Sequence, residues 1–336
     1  MLQALNFRGR TIKAIAFDGG GTVYPKGVAK TSIHPEISSR LVQAAQKDAR
    51  LALISVNSSE VDLARVGLPL AQELSARQRE SALACYVDGG ARLVIYNTAA
   101  KSDADYSRPF LISAEEIKMI REATCALLPS RLGLSTEEQT SWIRFYTEKQ
   151  PTASFPWLAK TLDSYPLEYF PVLNPEEAKA PNFAPWLEKR GEDISPRGEN
   201  AVLMLAIKPL PRHPRDVREA VINGICKSFP SLSERLRILP GGFGSIDIMH
   251  KDAGKKAALE HFLMINKLNM GEVLYLGDEL TLNREDSDLL LTQFSEMPKV
   301  SVNPPDIPVT KDIPNLFFDP TRTGQEGTIA WLGEIT

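Results

Sequence analysis

The stretch AIAFDGGGTV, residues 14–23, decides the expected fold. It begins inside an apolar run, IKAIAF at 12–17, which predicts a buried strand. The run stops at Asp18, and three glycines and Thr22 follow. A carboxylate that ends a buried strand and opens a glycine-rich turn lies beside backbone N–H groups that can hold phosphate oxygens, which suits attack on a phosphoryl group. Taken alone, the stretch is also compatible with an ordinary Asx turn.

Short buried strands and helical patterns alternate in both terminal parts of the chain. Strands of four to six apolar residues that alternate with helices indicate a parallel sheet wrapped by helices, a Rossmann-like α/β architecture. In such sheets, ligands bind at the carboxyl ends of the strands. Further strands are predicted over 51–56, 272–276 and 298–302, a hairpin over 84–88 and 92–96, and helices over 35–48 and 255–267.

The middle of the chain has a different composition. From about residue 100 to 240, prolines and aromatic residues are dense, as in TASFPWLAKTLDSYPLEYFPVLNP. This region predicts a second, inserted α/β domain, so that residues 1–98 and 240–336 form the core domain and residues 99–239 form a cap. Its predicted elements are a strand over 201–207, a helix over 214–228 and a strand pair over 235–239 and 245–249.

Other segments place polar side chains where the same sheet edge is expected. Ser55 ends the second strand, where its hydroxyl can donate to a phosphate oxygen, and Lys255 opens a helix, where its ammonium can neutralise a transferring phosphate. Asp278 directly follows a buried strand, and clustered carboxylates there suit Mg²⁺. Each feature has an ordinary explanation by itself, but their occurrence together and in this order favours a phosphoryl-transfer site. The acidic residues beyond Asp278 are Glu279, Asp286 and Asp288.

These segments resemble the ordered motifs of the haloacid dehalogenase (HAD) superfamily, and within it the sugar-phosphatase-like branch with a C2-type cap. The family's first motif, Asp-any-Asp-Gly-Thr, corresponds to residues 18–22, and the hydroxyl of its second motif corresponds to Ser55. The lysine of the third motif falls on Lys255, and the Gly-Asp of the fourth falls on Gly277 and Asp278. The resemblance covers roughly 1–98 and 240–336.

The resemblance implies a Mg²⁺-dependent phosphatase that acts through an aspartyl-phosphate on a small phosphorylated metabolite, above all a sugar phosphate. The cap would select that substrate. The implied catalytic residues are Asp18, Ser55 and Lys255; phosphate would bind at Gly19, Gly20 and Asn57, and the metal at Asp18, Gly20, Asp278 and Asp286.

Two positions depart from the family pattern. Gly20 replaces the second aspartate of the first motif, which protonates the leaving oxygen and then activates water. Loss of a general acid/base typically costs about 10²–10⁴-fold in rate, so an alternative is a protein that binds a phosphorylated ligand without turnover. A phosphomutase would need the same acid/base. Asp286 lies farther from Asp278 than the family's usual acidic partner, and Asn283 or Glu279 could take its place.

Composition limits the remaining classes of function. The net charge of −3 gives no electrostatic reason to expect nucleic acid or an anionic membrane as partner. No apolar run reaches the roughly 20 residues that a membrane-spanning helix needs. The widely spaced Cys85, Cys125 and Cys226 form neither a zinc pattern nor a disulfide framework, and reduced cysteines of this kind predict a cytoplasmic protein. The sequence does not indicate an oligomeric state.

Overall fold

The computed structural model describes residues 5–25, 31–96, 100–132, 187–191, 201–207, 215–240, 246–278, 280, 294–303 and 313–335. The chain divides into two compact units. The first unit comprises Met1–Lys26, Lys30–Pro109 and Asp252–Thr336, and the second comprises Gly27–Ala29 and Phe110–Lys251. These divisions fall later in the chain than the domain limits proposed from the sequence, so residues 246–250 lie in the second unit.

The strands carry the labels β1 to β14 in chain order. They are β1 (Leu5–Phe7), β2 (Arg10–Ile12), β3 (Ala14–Phe17), β4 (Arg50–Ile54), β5 (Leu83–Val87), β6 (Arg92–Tyr96), β7 (Ala100–Asp103), β8 (Leu187–Arg190), β9 (Met204–Ile207), β10 (Leu236–Pro240), β11 (Ile246–His250), β12 (Val273–Gly277), β13 (Lys299–Ser301) and β14 (Leu316–Phe318).

The first unit contains an eight-stranded sheet in the order β14-β13-β12-β3-β4-β5-β6-β7. Neighbouring strands from β14 to β5 are parallel, and β5, β6 and β7 are antiparallel. β12 pairs with β3 from Val273 opposite Ala14 to Leu276 opposite Phe17. Both ends of the chain therefore build one largely parallel sheet, which confirms the predicted α/β fold and the predicted β5–β6 hairpin.

Both faces of this sheet are buried, as the apolar run at 12–17 predicts. Ile15 and Phe17 pack in one apolar layer, and Ala14 and Ala16 pack in the other, together with Phe262. The predicted first strand is divided, because Ile12 ends β2, which pairs with β1, and β3 begins at Ala14. The helices of this unit include Pro35–Gln46, Ser59–Asp62, Leu68–Glu73, Ala76–Ala82, Ala104–Ser107, Lys255–Asn266 and Gly324–Gly333.

The second unit contains a four-stranded antiparallel sheet in the order β10-β11-β9-β8. Its strands β9, β10 and β11 and its helix Arg215–Ser228 lie close to the elements predicted from the sequence. The helix Arg215–Ser228 packs on the helix Ala114–Leu132. In the chain it is followed by the helix Pro230–Arg235. Arg235 forms an ion pair with Glu116 at 2.6 Å. Within the described part of the chain, no helix is long and apolar enough to cross a bilayer.

Candidate active site

Asp18 lies at the carboxyl end of β3, in the middle of the eight-stranded sheet. Its backbone N–H donates to the carbonyl of Leu276 in the neighbouring strand β12, at 3.0 Å. The residue is 7% exposed. One carboxylate oxygen, Oδ1, accepts the N–H of Gly19 at 2.7 Å, and the other, Oδ2, accepts from Lys255 Nζ at 2.7 Å. The two predicted side chains therefore form a buried ion pair at the expected sheet edge.

The position of Lys255 depends on a close approach of two backbone segments. Lys255 is the first residue of the helix Lys255–Asn266 and is 3% exposed. Gly254 before it has a φ of 129°, and a Cβ on Gly90, in the β5–β6 loop, would lie 2.6 Å from the Gly254 carbonyl oxygen. Glycine at both positions lets the hairpin loop pack against the start of the helix. The ammonium is thereby directed at Asp18.

Asp278 approaches the same loop from the neighbouring strand. It follows β12 and is 3% exposed. Gly21 has a φ of 84°, and a Cβ there would overlap the Asp278 carboxylate. The Asp278 carboxylate therefore packs on the turn that Asp18 opens, and only glycine fits at position 21.

This donor set is compatible with Mg²⁺, which proteins often hold through one or two carboxylates while it keeps several waters. Asp18 and Asp278 are such carboxylates, and Gly20, two residues after Asp18, offers a backbone carbonyl. No group of three or more His, Cys, Asp or Glu residues suited to a metal occurs among the described residues. The predicted ligand Asp286, like Glu279 and Asn283, lies outside those residues.

Ser55 and Asn57 follow β4 and lie on the side of the loop where Tyr24 packs. Ser55 is fully buried, its N–H donates to the carbonyl of Tyr86 at 2.8 Å, and its Oγ accepts the N–H of Asn57 at 3.1 Å. Asn57 Nδ2 donates to the hydroxyl of Tyr24 at 3.0 Å. Both predicted side chains thus face a cluster that includes a residue the sequence had not singled out.

Gly19 and Gly20 differ in the space that a side chain would find at each position. A Cβ on Gly19 would lie only 3.0 Å from Asp62 Oδ2, which is tight. A Cβ on Gly20 would lie 3.5 Å from the Tyr24 ring and hydroxyl, which is ordinary contact, and Gly20 is outside the left-handed region of φ. A side chain can therefore begin at position 20 without backbone strain.

Tyr24 and Asp62 form a buried pair beside Gly20 that the sequence reasoning missed. The Tyr24 hydroxyl donates to Asp62 Oδ1 at 2.5 Å, and Asp62 is fully buried. Burial raises the pKa of Asp62 to about 6, although hydrogen bonds from Ser55 and Tyr24 lower it. Burial also raises the pKa of Tyr24 above its usual range. The only available signal was Gly20, where the family pattern has a carboxylate. Its absence directs the search to other polar side chains in the segments that follow β3 and β4, which contain Tyr24 and Asp62.

Comparison with known proteins identifies the fold. No protein-family model and no curated protein matches the sequence. A HAD/COF-like hydrolase from Plasmodium vivax is similar in structure, with a TM-score of 0.55, 14% identity, and coverage of 97% of this chain and 96% of that chain. A haloacid dehalogenase-like hydrolase from Bacteroides thetaiotaomicron gives a TM-score of 0.53, 15% identity, and coverage of 95% and 98%.

A third similar structure comes from work on a phosphoryl-transfer superfamily that describes a trigonal-bipyramidal intermediate. Its TM-score is 0.52, its identity is 13%, and the match covers 96% of this chain and 99% of that chain. At these identities the similarity establishes the fold. The protein therefore has the fold of haloacid dehalogenase-like hydrolases, with the Rossmann-like core and the additional domain that the sequence predicted.

Proposed function

We propose that this protein belongs to the HAD superfamily and is a Mg²⁺-dependent phosphomonoester hydrolase that acts through an aspartyl-phosphate on Asp18. The observation that carries the proposal is the buried pair of Asp18 and Lys255, 2.7 Å apart at the carboxyl end of β3. Such a pair is a poor stabiliser, because removing two charges from water costs as much as their attraction returns. Its place in this fold favours chemistry on an anion.

The reaction would proceed in two displacements. A carboxylate oxygen of Asp18 forms a bond to phosphorus while the bond from phosphorus to the leaving oxygen breaks, and that oxygen takes a proton. Water then attacks the phosphorus of the aspartyl-phosphate and loses a proton, which releases inorganic phosphate and restores Asp18. Lys255 would compensate charge on the phosphoryl oxygens. Ser55 and the backbone of Gly19 and Gly20 would bind the same oxygens.

The metal would be held by Asp18, the Gly20 carbonyl and Asp278, with Asp286 as a further ligand. Bound Mg²⁺ supplies positive charge to a phosphate that is being transferred. The fit rests on two buried carboxylates that meet one glycine turn, Asp278 through its packing on Gly21 and Asp18 as the first residue of that turn.

The substrate would be a small phosphorylated metabolite, with sugar phosphates as the first class to test. The second unit, Phe110–Lys251, would serve as the cap that selects it. The net charge of −3 gives no electrostatic reason to propose a nucleic acid or a membrane as partner. We propose a cytoplasmic location because the cysteines are widely spaced and suit a reducing compartment.

A phosphate-release screen tests the proposal. The protein is incubated with sugar phosphates, nucleotides and p-nitrophenyl phosphate, with Mg²⁺ and with EDTA. We expect release with Mg²⁺ that EDTA abolishes, and no release by Asp18→Asn, because an amide cannot act as the nucleophile. Asp105→Asn is the matched control, since that side chain is 88% exposed and should not affect release. Equal release by Asp18→Asn and the native protein would contradict the proposal.

A second candidate function is that of a binding protein that keeps the phosphate and Mg²⁺ pocket without turnover. The observation in its favour is Gly20, which carries no side chain to act as acid or base. Calorimetric titration separates the two candidates. Tight Mg²⁺-dependent binding of a sugar phosphate that is never hydrolysed would favour the binding protein.

A further inference from the structure

Tyr24 fills the space into which a side chain at position 20 would begin to extend. A Cβ on Gly20 would be 3.5 Å from the Tyr24 hydroxyl oxygen and 3.6 Å from its Cζ. The phenol is 3% exposed, and the Arg65 guanidinium lies over its ring at 5.2 Å. A polar group therefore lies next to the position where the first motif lacks its second carboxylate.

The hydroxyl is held in place by two polar side chains. It donates to Asp62 Oδ1 at 2.5 Å and accepts from Asn57 Nδ2 at 3.0 Å. The main chain of Tyr24 is also fixed, since the N–H of Gly21 donates to the Tyr24 carbonyl at 2.8 Å. A phenol fixed in this way can pass a proton along its hydrogen bond without moving.

Asp62 is a buried carboxylate beside the nucleophile. It is fully buried, and it accepts hydrogen bonds from Tyr24 and Ser55. Its Oδ2 lies against the Gly19 backbone, one residue after Asp18. A buried carboxylate costs free energy that an apolar residue of similar size would not cost, even when it is hydrogen-bonded. Its place next to the nucleophile suits a role in the reaction.

We propose that Tyr24 and Asp62 form a proton relay that replaces the acid/base missing at Gly20. This inference rests on the function proposed above. When Asp62 is protonated on Oδ1, the direction of its hydrogen bond with Tyr24 is reversed, and the Tyr24 hydroxyl is free to donate to the leaving oxygen. In the first displacement, Asp62 gives its proton to the Tyr24 oxygen, and the Tyr24 hydroxyl gives its own proton to the leaving oxygen. In the second, the attacking water gives a proton to the Tyr24 oxygen as the hydroxyl proton returns to Asp62. Tyr24 is neutral before and after each step, and the protons balance over the cycle.

Two substrates separate the steps of this relay. A sugar phosphate has an alcohol leaving group that needs a proton, whereas p-nitrophenyl phosphate has a leaving group that departs without one. Tyr24→Phe should lower turnover of the sugar phosphate by about 10²–10³-fold, within the range for loss of an acid/base. With p-nitrophenyl phosphate, Tyr24→Phe should still form the phosphoenzyme but hydrolyse it slowly, so that intact-mass spectrometry shows phosphorylated protein.

Further variants test whether the two residues act as one unit. Asp62→Asn should reproduce the Tyr24→Phe defect, and the double variant should be no slower than either single variant, because removing one member already breaks the relay. Adding Gly20→Asp to Tyr24→Phe should restore most of the lost rate. Tyr86→Phe is the matched control, since it removes another buried hydroxyl, bonded to His261 at 2.9 Å, and should not change turnover.

A measurement on metal-free protein tests the pair without reference to activity. Tyrosine labelled with ¹³C at Cζ gives an NMR resonance for Tyr24, assigned by its loss in Tyr24→Phe. Asp62→Asn should shift this resonance, because the hydrogen bond to the carboxylate is lost. Asp105→Asn should leave it unchanged. Thermal unfolding of each variant shows that it is folded.

The outcomes distinguish this inference from the proposed function. Folded Tyr24→Phe that hydrolyses a sugar phosphate as fast as the native protein, without phosphoenzyme accumulation, overturns the relay and leaves the phosphatase proposal intact. A Tyr24 ¹³Cζ chemical shift that is the same in the native protein and in Asp62→Asn also overturns the relay. Native protein that never becomes phosphorylated on Asp18 by p-nitrophenyl phosphate overturns both.

Discussion

Two buried lysines lie at opposite edges of the same sheet, and their surroundings differ. Lys255 lies at the carboxyl edge, where it contacts Asp18, and it is 3% exposed. Lys299 opens β13 at the amino edge and is fully buried, and its ammonium donates to the carbonyls of Phe294 at 2.7 Å and Met297 at 3.2 Å. Burial, with Arg10 nearby, lowers the pKa of Lys299 to about 8.

The comparison shows that burial of a charge does not by itself identify a functional residue. Lys299 closes a turn by satisfying carbonyl groups, which is a structural task. Lys255 faces a carboxylate at the sheet edge where ligands bind in folds of this kind. Lys255 is therefore distinguished by its ion pair with Asp18 and by its place at the carboxyl edge of the sheet, and not by its exposed fraction.

The largest expected effect separates the two lysines by activity. Lys255→Met should lower kcat for p-nitrophenyl phosphate by about 10²–10³-fold, because a positive charge that stabilises the transferred phosphoryl group is lost. Lys299→Met should leave kcat unchanged, since its ammonium contacts turn carbonyls. Initial rates at saturating Mg²⁺ measure both. Equal losses in the two variants would remove the distinction between the edges.

The lowered pKa of Lys299 should be visible in the pH dependence of the free energy of unfolding. Its folded pKa of about 8 lies below the ordinary lysine value of about 10.4, so the folded state binds fewer protons than the unfolded state between these values. The contribution of Lys299 to stability should therefore rise with pH over this window, by at most about 3 kcal/mol. Burial raises the pKa values of Cys85 and Tyr24, which acts in the opposite direction, so the comparison is made between two proteins. Urea unfolding near pH 8 and near pH 10 measures the free energy of unfolding of the native protein and of Lys299→Met, and the native protein should gain relative to the variant as the pH rises. The same pH dependence in both proteins would contradict the lowered pKa of Lys299.

A smaller effect tests the packing at the carboxyl edge. Gly9 and Gly21 have similar φ angles of 81° and 84°, but a Cβ on Gly9 meets nothing within 4 Å, whereas one on Gly21 overlaps Asp278. Gly9→Ala should cost about 1–2 kcal/mol for the left-handed backbone alone. Gly21→Ala should cost about 1–3 kcal/mol more from the overlap, and it should weaken Mg²⁺ binding. Denaturant unfolding with and without Mg²⁺ measures both, and equal costs would refute the packing of Asp278 on this turn.

The sequence predicted the parts of this molecule that depend on local pattern. Continuous apolar runs identified β4 and β12, and the ends of β3 and β12 placed Asp18 and Asp278 at one edge of the sheet. Parallel strands bring such positions together, so this proximity followed from topology as well as from motif. The position of Lys255 at the same edge followed from the motif, since the strand before it, β11, belongs to the four-stranded antiparallel sheet.

The remaining features depend on contacts that no local pattern specifies. The break between β2 and β3 arises because Arg10–Ile12 pairs with Leu5–Phe7, a tertiary choice. Tyr24 and Asp62 are distant in sequence and have no recognisable spacing. They meet because the turn after β3 and the short helix Ser59–Asp62 after β4 lie side by side. Asp286 remains a prediction, since it lies outside the described residues.

Chemical trapping of the covalent intermediate tests the central claim most directly. The native protein is mixed with Mg²⁺ and p-nitrophenyl phosphate and treated at once with borohydride, which reduces an aspartyl-phosphate to homoserine. Peptide mass spectrometry should then find homoserine at position 18, and omission of the substrate or Asp18→Asn should abolish it. Continued phosphate release with an unmodified Asp18, or homoserine at another aspartate, would contradict the assignment of Asp18 as the nucleophile.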